Sequence, residues 1–242
     1  MIFPTTGTTL SQLVRRCAPA AKLLTQLGID WRTHRHATLA EAAAHAGVEP
    51  RAVLEVMLAA DVPRRPPSSR DWHSAPLEDL ADHVVATHHT YLRQVMPRIS
   101  LLIEKAVRDH GEQHAELRAI REVFAEFREE MQRYLVNEEE VLFPLIRQLA
   151  MAQKHRGMFA GTVDQSVADV RAEYRTADAA LARLRELTRE LHPSPDASTS
   201  YRALIEELRQ LERDMQRHEQ LEKEVLFPRA MAVEEALMRE SG

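Results

Sequence analysis

The chain has 242 residues, 44% of them hydrophobic and 29% charged, a soluble composition with length enough for one large domain and a smaller one. Only 7 glycines and 5% aromatics, with Ala, Leu, Glu and Arg dominating, point to an all-α chain. The net charge of −5, with 32 basic residues interspersed among 37 acidic ones, leaves no extended basic face, so no nucleic acid partner is expected.

The first ten residues, MIFPTTGTTL, have no charged segment followed by an apolar one, and no later run approaches 18 apolar residues. A single cysteine, Cys17, rules out an intramolecular disulfide framework and suits a reducing compartment. A soluble cytoplasmic protein without a membrane partner is expected. Residues 1–60 read as a small helical module. Residues 8–29 carry apolar residues at helical spacing, punctuated by Pro19 and stopped at Gly28. Thr38 and Glu41 form a capping box for a second short helix ending near Gly47, and Pro50 opens a third. The stretch 61–76, DVPRRPPSSRDWHSAP, reads as a Pro-rich linker.

Residues 77–242 contain four long helical patterns, roughly 77–108, 112–148, 163–191 and 200–238, with short connections suited to antiparallel neighbours. They predict an antiparallel four-helix bundle. Pro97, Pro144 and Pro228 should kink or end their helices.

The segment YLVNEEEVLFPLI, starting at Tyr134, recurs 84 positions later as HEQLEKEVLFPRA, starting at His218. Each copy sets a glutamate four residues after a ring, Tyr134/Glu138 and His218/Glu222, and then Val-Leu-Phe-Pro. Positions i and i+4 share a helix face, so each pair can converge on one point. Imidazoles and carboxylates on facing helices are how such bundles hold paired iron ions. Most of the 12 histidines lie far from these pairs: His110 is 21 residues from His89, on the order of 30 Å along a helix. His34, His36, His45, His73, His155 and His192 read as solvated. His88 and His89 point about 100° apart, which places at most one of them in the core. Glu139, Glu140 and Glu224 read as a solvated face.

In the order of its parts the chain resembles the repair-of-iron-centres proteins, the ScdA/YtfE-like, hemerythrin-type di-iron proteins linked to nitrosative stress. DWHSAPL (71–77), the following LADHVVATHH and both Leu-Phe-Pro repeats carry the resemblance, which spans nearly the whole chain. It implies a hemerythrin-like bundle holding two non-haem iron ions, oxo- or hydroxo-bridged. The implied ligands are His89, Tyr134, Glu138, Tyr174, His218 and Glu222, with Glu138 and Glu222 as bridges. Two positions depart from the family's pattern, because Tyr134 and Tyr174 stand where it has histidine. Glu173 takes the place of the glutamate before the third-helix ligand. The family's N-terminal Cys-Cys pair falls on Arg32-Thr33, so its thiol chemistry should be absent.

Phenolate is a hard anionic ligand that favours ferric iron, whereas imidazole tolerates both oxidation states. The expected function is a di-iron protein of the nitrosative or oxidative stress response. It would bind nitric oxide or oxygen species, or support iron–sulfur cluster repair, with iron–sulfur proteins as partners. Two alternatives are a peroxide-consuming ferric tyrosinate enzyme and a degenerate metal-free bundle with a protein-interaction role. The latter includes a homodimer formed through the N-terminal module.

Overall fold

The computed structural model describes residues 4–60, 70–155, 159, 162–193, 195 and 197–241. Of the expected linker, residues 61–69 lie outside the described residues. Those described contain eight helices and no strand beyond a single Thr9–Thr38 bridge. Four short helices come first: α1 (Leu10–Arg16), α2 (Ala20–Gln26), α3 (Leu39–His45) and α4 (Pro50–Ala60). Four long ones follow: α5 (77–110), α6 (116–155), α7 (Asp164–Leu187) and α8 (199–241).

Three of the long helices carry a π-helical turn: Val85–His89 in α5, Glu138–Leu142 in α6 and Glu222–Leu226 in α8. In each, the next residue's N–H reaches back five positions, from Thr90 to Val85, Phe143 to Glu138 and Phe227 to Glu222. Pro144 and Pro228 come immediately after the latter two donors. A proline cannot donate and its ring crowds the carbonyl four residues back, and a widened turn accommodates both facts. Neither proline ends its helix, and Pro97 lies within α5.

The chain forms two compact units. One gathers residues 1–63, 92–125 and 182–211. Here the Thr38/Glu41 capping box is formed, with Thr38 N–H donating to Glu41 at 2.9 Å and Glu41 N–H to Thr38 Oγ1 at 3.2 Å. Gly28 and Gly47 adopt φ of 73° and 68° just past α2 and α3, the left-handed conformation that lets a helix end without steric cost. Leu10, Leu13, Leu24, Leu39, Val53 and Met57 are buried. Glu207 of α8, 1% exposed, ties α2 to the long helices: it accepts from Gln26 at 2.7 Å and pairs with Lys22 at 3.1 Å and Arg98 at 3.3 Å. Glu207→Ala would leave Arg98 without this buried counter-charge. A loss of about 3 kcal/mol is expected in chemical denaturation of the purified chain.

The other unit gathers residues 64–91, 126–181 and 212–242, with segments of α5 to α8 packed as a four-helix bundle. The start of α5 packs on the end of α6, which also packs on the end of α8. Phe143 and Phe227, the aromatic residues of the repeated Val-Leu-Phe-Pro, are wholly buried, worth about 2–3 kcal/mol each in apolar burial. The fold is all-α, as the periodicity predicts.

Candidate metal centre

Each bundle helix sends a side chain into the interior of this second unit. α5 contributes His89, α6 Tyr134 and Glu138, α7 Tyr174, and α8 His218 and Glu222; all six are buried. Both repeat glutamates are the first residue of a π turn, and His89 is the last residue of the third such turn. Helices widened in this way are frequent at functional sites. One ligand atom each from His89, Glu138, His218 and Glu222 lies within 4.8 Å of all the others. His89 Nε2 stands 3.1 Å from Glu138 Oε2, and His218 Nε2 lies 3.3 Å from Glu222 Oε1 and 3.9 Å from Glu138 Oε2. The tyrosine oxygens are 3.2 Å apart; Tyr134 donates to Glu222 Oε2 at 3.1 Å, and Tyr174 donates to the same oxygen.

These groups are under strong electrostatic pressure. Burial pushes His89 down to about 4, against the hydrogen bond it donates to Glu139, so the imidazole is neutral near pH 7. Burial and the neighbouring Glu222 raise Glu138 well above the usual carboxylate range. At Glu222 burial works in the same direction, but His218 and the Tyr174 hydroxyl outweigh it and hold the group low. Burial, followed by the two carboxylates, raises both phenols. His89 Nε2, both Glu138 oxygens and Glu222 Oε1 are buried without a hydrogen-bond partner. Buried polar atoms left unsatisfied cost about 1–3 kcal/mol each, and a cation among them would satisfy all four. The donor set fits iron: two imidazoles with carboxylate and phenol oxygens suit the harder transition metals, and no thiolate is present to favour softer ones.

Glu139, read from the sequence as a solvated acid, is instead half-buried against His89. His89 Nδ1 lies 2.6 Å from Glu139 Oε1, which places the proton on Nδ1 and turns the Nε2 lone pair toward Glu138. Glu139→Ala is therefore expected to weaken iron binding about 10- to 100-fold in chelator competition and to cost the metal-free chain about 1–3 kcal/mol, since the buried Nδ1–H of His89 loses its acceptor. His88 and His89 are both buried, contrary to the expectation that at most one would be. Their divergence directs them at two different neighbouring helices. His89 meets Glu138 and Glu139 of α6, whereas His88 Nδ1 lies 3.1 Å from Asp214 Oδ2 of α8 and its ring stacks on His218 at 5.3 Å. Asp214 escaped the sequence reading, although its place four residues before His218, on the same helix face, was a usable signal. Glu173 stays at the periphery, half-buried beside Tyr134.

Four helices converging imidazole, carboxylate and phenol groups on one buried point define a helical-bundle protein whose interior can hold a metal cation. Residues 80–230 match the hemerythrin HHE cation binding domain, and the chain belongs to that family. Across 225 residues, 93% of the chain, it is 28% identical to the iron-sulfur cluster repair protein YtfE of Salmonella typhimurium (strain LT2), covering 97% of that protein. The YtfE proteins of Salmonella paratyphi B and Salmonella newport are similar to the same extent. No helix among the described residues is long and apolar enough to cross a membrane.

Proposed function

We propose that the chain is a non-haem di-iron protein that supports iron–sulfur cluster repair in the cytoplasm under nitrosative or oxidative stress. His89, Tyr134, Glu138, Tyr174, His218 and Glu222 would hold two iron ions, with Glu138 and Glu222 shared between them. The observation that carries this reading is the set of partnerless buried atoms on His89, Glu138 and Glu222, all within one cluster. The likeness to iron-sulfur cluster repair proteins over nearly the whole chain supports the physiological role, with damaged iron–sulfur proteins as partners. Iron held by these residues would supply redox capacity and a binding point for a diatomic or peroxide ligand. A hollow of about 260 Å³, lined by Glu130, Arg133 and Glu173, reaches Tyr134 and offers such a ligand an approach.

Within the protein, Glu139 orients His89, Asp214 holds His88 against the ring of His218, and the surrounding Phe143 keeps water away from the cluster. The test is iron analysis of the chain after anaerobic ferrous reconstitution, followed by reactivation of a nitric-oxide-damaged [4Fe–4S] protein. About two irons per chain and faster reactivation are expected. A chain that takes up no metal overturns the proposal and leaves the metal-free interaction role.

A further inference from the structure

The ligand groups are not mixed evenly around the cluster; they sort by neighbour. Glu222 divides its oxygens, with Oε1 3.3 Å from His218 Nε2 and Oε2 taking both tyrosine hydroxyls. The second imidazole, His89, falls on the His218 side, since its Nε2 and that of His218 both approach Glu138 Oε2, at 3.1 and 3.9 Å. The two phenol oxygens instead have each other as neighbours, at 3.2 Å. Tyr134 also reaches across the seam: its Oη lies 3.4 Å from His218 Nε2, and its hydroxyl bears on Glu138. Had one tyrosine lain beside each imidazole, the two sides would be chemically alike.

We propose that the centre is built from two unlike half-sites. His89 and His218 with the carboxylates form an imidazole half, and Tyr134 and Tyr174 with Glu222 form an all-oxygen half. The half-sites hold their ions at different oxidation states, ferrous at the imidazoles and ferric at the phenols. This rests on the di-iron reading above. Its basis is donor chemistry: neutral imidazole nitrogens accommodate a divalent ion, whereas two anionic oxygens side by side in a dry interior favour the higher charge. Each phenol releases one proton to solvent as its oxygen binds. Starting from the diferric form, one electron from dithionite, itself oxidised to sulfite, converts the ion at the imidazole half to ferrous. The phenol half keeps its ferric ion.

The experiment is a reductive titration of the iron-loaded full chain, followed by visible absorption and electron paramagnetic resonance. The tyrosinate-to-ferric band is expected to survive the first electron per chain essentially undiminished, while a half-integer-spin mixed-valence signal appears. The second electron should bleach both. In the double variant Tyr134→Phe/Tyr174→Phe the iron content should fall from about two to about one per chain, with the band lost. Bleaching of the band by the first electron overturns the sorting. So does a double variant that keeps both ions, and so does a wild-type chain with a single iron and no band. Those outcomes leave the iron-binding reading standing, whereas a chain that binds no iron removes both.

Discussion

Glu138→Leu is expected to abolish iron binding and, in the same molecule, to make the metal-free protein more stable. Glu138 is wholly buried, both of its oxygens lack a hydrogen-bond partner, and burial together with Glu222 holds its carboxyl well above the usual range. In the metal-free state it is therefore either a neutral acid with unsatisfied oxygens or a buried charge facing the Glu222 carboxylate, and both are unfavourable. Leucine has similar bulk and no polar atoms, so the substitution should stabilise by about 1–3 kcal/mol, raising the melting temperature by several degrees. Iron affinity should fall by more than the roughly 100-fold expected for the loss of a partner such as Glu139, because one of the proposed ligands itself is gone. Glu222→Leu should lose iron as well but with the opposite effect on stability. It would leave the Tyr134 and Tyr174 hydroxyls and His218 without their common acceptor, a cost of about 1–3 kcal/mol. Calorimetry of the metal-free variants beside their iron content checks both signs. A Glu138→Leu protein less stable than wild type would mean that this acid serves packing and not a cation.

This opposition of stability and binding is why the site could be read from sequence only in part. The repeat was legible because duplication kept polar positions inside an apolar frame: Phe143 and Phe227 announce the core, and Tyr134/Glu138 and His218/Glu222, four residues apart, share one helix face. The short-range signals were legible for the same local reason, as at the Thr38/Glu41 cap and at Gly28 and Gly47. What periodicity could not carry were the π turns. A reading at 3.6 residues per turn assigns Glu139 to solvent and forces a choice between His88 and His89, whereas the inserted residues and the neighbours on either side of α5 give each a buried partner. Nor does spacing reveal that the tyrosines of α6 and α7 meet each other; that requires two helices brought together in space.

Acidifying the metal-free protein from pH 6.5 to pH 4 should weaken it through His89, by about 3 kcal/mol relative to His89→Gln. Burial holds this imidazole at about 4 in the folded chain against an ordinary 6.5, with the Glu139 hydrogen bond opposing. Below pH 6.5 the unfolded chain takes up a proton at this position while the folded chain does not, so protons drain population toward the unfolded state. The contribution is fully present above 6.5 and is lost progressively as pH falls toward 4; the gap of roughly 2.5 units sets its size. Glu138 has its folded value displaced upward and so contributes the opposite slope above 4.5, stabilising on acidification. The wild-type curve alone therefore mixes two effects. The difference between wild type and His89→Gln, from urea unfolding at closely spaced pH, isolates the histidine. A difference curve that stays flat across this window would mean the ring is solvated in the metal-free chain. A sloping one means that near pH 7 protons compete negligibly for Nε2, and the imidazole presents its lone pair to iron whenever the metal arrives.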